Sequence, residues 1–282
     1  MREDEKVQKK NVLAGIVTFN PDIGRLGECL RAVSKQIDAI YIFDNGSDNI
    51  EQIENLLGHS FNRIDLHKNT VNAGIATALS CIMDYAHEKN YEWVLTMDQD
   101  SVLQPGVISA YLDGAKIYND AGMFTCLIKD RNFVDEKYEK QKESYQKVQY
   151  CITSAAFTNV AAYKKTKGYD KEFFIDCVDF DICYSLIECG YQIYRVNHIG
   201  LLHEVGKGEN RRFLWKKIVV YHEKPFRIFY LARNMKRMYK KHPQYNLFIL
   251  LKKELSLLIK IILYEDEKMK KIKYFLNGIK EE

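Results

Sequence analysis

The chain has 282 residues, 46% of them hydrophobic and 28% charged, which supports one large core or two small ones and excludes a disordered or fibrous chain. No apolar run reaches the ~18 residues of a membrane-spanning helix, and the charged start MREDEKVQKK is unlike a signal peptide, so a cytoplasmic location is expected. The formal charge of +4 hides an asymmetry: residues 1–202 carry 22 Lys+Arg against 29 Asp+Glu, and residues 203–282 carry 20 against 9. A basic segment of that length either faces an anionic partner or is a solvated helical surface. Seven cysteines form no CxxC pair, and Cys177, Cys183 and Cys189 fit no common zinc spacing, so reduced thiols are expected.

Residues 11–19 (NVLAGIVTF) are nearly all apolar, the pattern of a strand buried on both faces of a parallel sheet. Pro21 and Gly24 break the run, and Leu26, Leu30, Val33 and Ile37 then recur at helical spacing. A second run over 39–43 ends in Asp44-Asn45-Gly46-Ser47, which is turn chemistry. Ile53, Leu56 and Leu57 predict a short helix, 63–67 a short strand, and Ile75, Leu79, Ile82 and Ala86 one face of the next helix. A fourth strand over 93–97 ends in Asp98-Gln99-Asp100-Ser101, Pro105 is placed to open a helix, and 121–128 predict a fifth strand. This alternation implies an α/β fold, a mostly parallel sheet with helices on both faces.

Residues 129–149, rich in lysine and glutamate, are expected to cross the surface as a mobile loop. Order resumes over 151–157. A helix is expected over 178–188, ended by Gly190, followed by a strand over 191–196. From about Lys216 onward the chain reads as lysine-rich helices. The expected organisation is a charged tail over 1–10, an α/β domain over 11–215 with halves 11–128 and 150–215, and a basic helical region over 216–282. Within that region Leu247, Leu251, Leu255, Leu258 and Ile262 form an apolar stripe, widened by Phe248, Leu250 and Ile259, with Lys253, Ser256 and Lys260 on another face. Such a helix either lies in a membrane interface or packs on the domain or a second subunit.

In an open α/β sheet, ligands bind at the carboxyl ends of the strands. Four polar clusters fall there: Thr18-Phe19-Asn20, Asp44 to Ser47, Asn69 to Gly74, and Asp98-Gln99-Asp100. Any one is ordinary turn chemistry, but together they would line one crevice. GxGxxG does not follow the first strand and GxxxxGK[ST] is absent, which removes the main support for dinucleotide and P-loop readings. Asp98 and Asp100, one residue apart, suit a divalent ion shared with phosphate oxygens; alternatively Asp100 or Ser101 caps the following helix. Asp176, Asp179 and Asp181 lie among apolar residues at a helix start, where a carboxylate serves as general base or as cap. Tyr221, Phe226, Phe229 and Tyr230 interleave with basic residues, but their spacing fits helix packing better than base stacking, so no nucleic-acid partner is expected.

The segments VLAGIVTFNP, IFDNGSDN, NAGIATALS, TMDQDS, KGYDKEFFIDCVDFD, LLHEVG and YLARN occur in the order and spacing of family-2 inverting glycosyltransferases of the GT-A fold. The chain resembles the rhamnosyltransferase branch most, through DQDS and FFID-x-VD-x-[DE], and the likeness runs from about Val12 to Asn234. The resemblance implies a Rossmann-like GT-A fold and an inverting, metal-dependent sugar transfer that uses Mn or Mg. It assigns Thr18, Phe19, Asn20, Asp44, Asn45, Asn72, Gly74, Ala76, Asp98 and Gln99 to the nucleotide sugar. Asp98, Asp100 and His203 would hold the metal, Asp179 would be the base, and Asp176 stands for the acidic residue missing at Val178. The implied donor is dTDP-β-L-rhamnose and the acceptor a hydroxyl of a polysaccharide or lipid-linked glycan, with peripheral contact at the inner face of the cell membrane left open. Galactofuranose or a hexose as donor sugar, and a catalytically inactive nucleotide-sugar-binding protein, remain alternatives, as does the oligomeric state. Ser185 and Ala155 depart from the pattern, where relatives carry arginine and glycine.

Overall fold

The structure, a computed structural model, describes residues 11–61, 64–131, 143–203, 208–213 and 216–281. The 1–10 tail and the centre of the 129–149 segment lie outside the described residues. The first half alternates as expected: β1 (Val12–Thr18), α1 (Ile23–Ser34), β2 (Ala39–Asp44), α2 (Ile50–Ser60), β3 (Ile64–Lys68), α3 (Ile75–Glu88) and β4 (Trp93–Asp98). Then come β5 (Val102–Leu103), α4 (Val107–Ile117), β6 (Ala121–Asp130), β7 (Tyr145–Val148), β8 (Ala156–Asn159), α5 (Val160–Lys165), α6 (Val178–Glu188) and β9 (Gln192–His203). The chain ends in β10 (Glu209–Phe213), β11 (Lys216–Val220), α7 (Pro225–Lys241), α8 (Leu247–Tyr264) and α9 (Lys268–Glu281).

The main sheet runs β3-β2-β1-β4-β8-β6-β9-β5, with β7 also on β9. Its first four strands are parallel, while β8 is antiparallel to both β4 and β6, so the second half is mixed rather than uniformly parallel. β1 is buried along almost its whole length, and alternate residues feed two cores: Leu13 packs against α3, while Val12, Ala14 and Ile16 pack on the α1 side. Gly15 permits the close approach of α3, because a methyl group there would collide with the Ile82 side chain.

Two expectations are corrected. Residues 129–149 are not loop throughout: β6 extends to Asp130, and Tyr145–Val148 pairs antiparallel with β9. The basic region is not helical from Lys216, since β10 and β11 form an antiparallel hairpin and α7 starts only at Pro225. The β-branched run Ile218-Val219-Val220 suits a strand despite the lysines before it. The helices beyond join the fold. Met235 and Met238 of α7 and Leu250 of α8 enter the core beneath α3, and Ile228, Ala232, Ile261 and Phe275 form a smaller core of their own. The outer stripe of α8 is not what packs: Leu247, Phe248, Leu251 and Leu255 are exposed.

Candidate functional site

Strand register assembles the site. β1 pairs with β2 so that Thr18 faces Asp44, and with β4 so that Val17 faces Asp98, which brings three strand ends side by side. The order 3-2-1-4 reverses direction between β1 and β4, the switch point where open sheets leave a crevice. His203 arrives from the far side, because β5 pairs antiparallel with β9, Val102 against Leu202, setting His203 beside Ser101. The result is a cleft of about 460 Å³.

Phe19, Asn45, Asn72, Gly74, Asp98, Gln99, Asp100 and His203 line this cleft, joined by Phe174, Glu223 and Arg227 from the second half of the chain. Thr18, Asn20, Asp44 and Ala76 do not line it. Asp44 is buried and spent on its own turn, accepting from Thr18 Oγ1 (2.8 Å), Ser47 Oγ (2.5 Å), Ser47 N (2.9 Å) and Gly46 N (3.2 Å). Thr18 and Asp44 therefore shape the loop that carries Asn45, Asn20 bonds Ser47 and Asp48 at the surface, and Ala76 is buried in α3. Asn45 donates to Asn72 Oδ1 (3.0 Å) and accepts from Ala73 N (2.9 Å), locking the second and third polar clusters together. Gln99 holds the backbone of Phe19 from both sides, through Phe19 N (2.8 Å) and Phe19 O (3.3 Å).

Neither Asp100 nor Ser101 caps a helix. α4 starts after Gly106, and Ser101 Oγ lies 2.7 Å from His203 Nδ1 instead. His203 Nδ1 is also 3.8 Å from Asp98 Oδ2. Burial first, and then the like charge of Asp100, push the Asp98 carboxyl above its usual range, against the pull of His203. Two hard carboxylates whose charges strain against each other beside an imidazole form a donor set that suits Mn²⁺ or Mg²⁺. Three such side chains do not converge on one point among the described residues, so a cation here would draw further ligands from its substrate.

The floor of the cleft is the loop between residues 173 and 177. Gly74, with φ of 85°, lets this loop approach: a Cβ there would come within 2.7 Å of the Phe174 carbonyl oxygen, and Ile75 N donates to that oxygen at 2.7 Å. Phe174, Asp176 and Cys177 all have positive φ (47°, 64° and 62°), conformations that non-glycine residues adopt only when held. Asn234 of α7, fully buried, holds them: its amide nitrogen lies 2.9, 2.7 and 2.9 Å from the carbonyl oxygens of Phe173, Ile175 and Asp176. Tyr230, one helical turn before, stacks on Phe174 at 5.1 Å between ring centroids. Asn234→Ala is expected to destabilise the protein by roughly 2–3 kcal/mol, since it strands buried carbonyls, and to slow turnover as the loop relaxes. Denaturant unfolding beside a turnover assay checks both.

Asp179 does not itself line the cleft; it sits in the first turn of α6, partly buried, accepting from Phe180 N at 2.9 Å and near enough to Asp98 and Asp176 to feel their charges. Burial lifts its pKa to about 6, with the nearby Asp176 and Asp98 adding to the effect and backbone N–H groups opposing it. α6 itself is pinned by Asp181, which takes Lys241 Nζ and His242 Nε2, each at 2.8 Å. His242 Nδ1 lies 2.8 Å from Glu188, so both ring nitrogens face carboxylates, which raise the pKa of the buried imidazole against the cost of its burial. Asp176 is engaged by an arginine: Arg227 Nε reaches both its oxygens at 3.1 Å and Nη2 reaches Oδ1 at 2.9 Å. Arg227 and Glu223 carry no signal in the sequence alone, being single charges in a charged stretch.

The glycosyl transferase family 2 profile matches residues 14–178, more than half of the chain. A dTDP-rhamnosyl transferase of Shigella flexneri, RfbF, is 24% identical over 214 residues, 70% of this chain and 70% of its own. Among solved structures, a mannosyltransferase from Pyrobaculum calidifontis in complex with GDP-Man and Mn²⁺ superposes with a TM-score of 0.59 at 14% identity, covering 95% of this chain and 72% of the other. S. aureus TarS 1-349 in complex with UDP-GlcNAc gives 0.55 at 14% identity, over 95% and 72%. These structures share the GT-A fold with this chain. With the family profile spanning β1 to the start of α6, and so the strand ends that build the cleft, the chain belongs to glycosyl transferase family 2.

Proposed function

We propose that the chain transfers L-rhamnose from dTDP-β-L-rhamnose, with inversion, to a hydroxyl of a polysaccharide or lipid-linked oligosaccharide. The observation that carries the reading is the pairing of a carboxylate-lined cleft at the sheet's switch point with Asp179 beside it, its pKa at about 6. A base poised near the working pH is what abstraction of an acceptor proton requires. Similarity to a dTDP-rhamnosyl transferase supports the sugar and base. In this mechanism Asn45, Asn72 and Gln99 border the donor, Asp98 and Asp100, with His203 beside them, would share a divalent cation with the donor's own oxygens, and Asp179 takes the proton of the attacking hydroxyl. Such a cation, when bound, offsets charge on the departing diphosphate. Asp176 orients Arg227 rather than touching the acceptor. A donor screen tests the reading: among dTDP-, UDP- and GDP-sugars with Mn²⁺, dTDP-β-L-rhamnose should be hydrolysed fastest and raise the melting temperature most. Preference for a UDP- or GDP-sugar would move the assignment to another donor in the same fold.

The outer face of α8 supports peripheral contact with an anionic membrane. Phe248, Leu251 and Leu255 line an apolar groove rimmed by Lys252 and Lys260, and no described helix is long and apolar enough to cross a membrane. The full chain should sediment with phosphatidylserine-containing vesicles at low salt and less at high salt. Phe248→Ser/Leu251→Ser, which alters exposed positions and spares Leu250 and Ile261, should not sediment. Equal sedimentation of variant and parent would remove this face from the account.

A further inference from the structure

Among the described residues that line the cleft, Arg227 is the side chain with a permanent positive charge; Asp98, Asp100 and Glu223 share the same wall. A diphosphate entering a cleft lined by carboxylates needs cations, and a guanidinium offers the planar pair of donors that phosphate oxygens accept. We propose that Arg227 is the side chain that grips the donor's diphosphate, presented for that purpose by Asp176 and Glu223 as positioning residues. This rests on the reading of the cleft as a nucleotide-sugar site.

The geometry separates a presented arginine from an ordinary ion pair. Asp176 sits behind, with only 10% of its side chain exposed, while Arg227 is 38% exposed at the cleft. Asp176 takes Nε and Nη2, and Glu223 Oε2 takes Nη1 at 3.1 Å. A guanidinium carries five N–H groups, so these contacts leave one on each Nη nitrogen. The group is thus fixed from two sides and still has two donors to give. Its support is itself held in place. Asp176 has φ of 64°, a conformation that costs energy without help, and Asn234 fixes the carbonyls on either side of it. Asn234 and Arg227 both project from α7, seven residues apart, so one helix sets the loop and the cation together. A surface salt bridge would need none of this, and pairs of that kind contribute little to stability.

The test is calorimetric titration of the full-length chain at constant Mn²⁺ with thymidine diphosphate and thymidine monophosphate, alongside uridine and guanosine pairs. Arg227→Gln should weaken binding of the diphosphate by about 10- to 100-fold, the range for losing charge-assisted hydrogen bonds. Monophosphate affinity should move by less than about 3-fold, because that contact belongs to the second phosphate. Asp176→Asn should reproduce part of the diphosphate loss with the monophosphate unchanged, which a purely structural role would not do. Arg227→Lys, which keeps charge and fold but not the fork, should fall between parent and Gln, and it serves as the measured variant if Arg227→Gln does not fold. A parent chain that binds diphosphates and variants that bind them equally well overturn the role of Arg227 alone. A parent that binds none of the three diphosphates overturns the reading of the cleft, and this inference with it.

Discussion

Asp179→Asn is expected to lower turnover by roughly 10²–10⁴-fold, the span attributed to a positioned general base, with donor affinity almost unchanged. The substitution keeps the shape of the side chain and its bond from Phe180 N but cannot accept a proton. The pH dependence carries the same signature. Burial holds the Asp179 carboxyl up to about 6, so the reactive carboxylate accumulates only as pH rises through 6, and the rate should climb there and level off above. That climb should vanish in Asp179→Asn. The stability effect runs the other way. The folded pKa lies above the unfolded value, so at pH 7 the buried charge disfavours the fold, and the disadvantage fades as pH falls through 6. Asp179→Asn should therefore stabilise the protein at pH 7, by on the order of 2 kcal/mol. A slower and more stable enzyme distinguishes loss of a base from damage to the fold. An inactive Asp176→Asn beside a fully active Asp179→Asn would exchange the two roles.

Asp98→Ala and Asp100→Ala are expected to abolish measurable turnover, because cation-assisted charge stabilisation is worth several kcal/mol, about 10³-fold or more. The two should differ in the absence of substrate. Asp98, its side chain 39% exposed at the cleft, is the member whose carboxyl is pushed up by desolvation and by Asp100, so Asp98→Ala removes a strained charge and should not lower the melting temperature. Chelation by EDTA should stop the parent enzyme and added Mn²⁺ or Mg²⁺ should restore it. Full turnover in chelator would detach these residues from metal binding and leave the donor cleft standing.

Much of this was legible in the residues themselves. The apolar runs of β1, β2 and β4 and the period of α3 stand out because parallel strands buried on both faces and one-sided helices leave unmistakable patterns, and Gly190 marks the end of α6. The four polar strand ends meet as expected, since parallel register leaves little freedom. What the pattern could not separate was facing from supporting. Thr18 and Asp44 occupy strand ends like Asn45 and Asp98, yet their side chains bond each other, and only the turn geometry decides which oxygen looks outward. The hairpin of β10 and β11 was hidden by its charges, although Ile218 to Val220 carried a weak β signal. Arg227 was beyond reach: it lies 51 residues from Asp176, and nothing local distinguishes it from its neighbours on α7. Asn234 was visible as part of YLARN, but its work on three carbonyls appears only once the loop is folded.

The central claim, inverting transfer from dTDP-β-L-rhamnose, is tested most directly without an acceptor. The purified chain is mixed with this donor and Mn²⁺, and the sugar released by slow hydrolysis is observed by proton NMR before its anomers equilibrate. A single displacement at the anomeric carbon predicts α-L-rhamnose as the first product, formed by the parent and suppressed in Asp179→Asn. Release of β-L-rhamnose first, or cleavage of other nucleotide sugars with dTDP-β-L-rhamnose left intact, would contradict it.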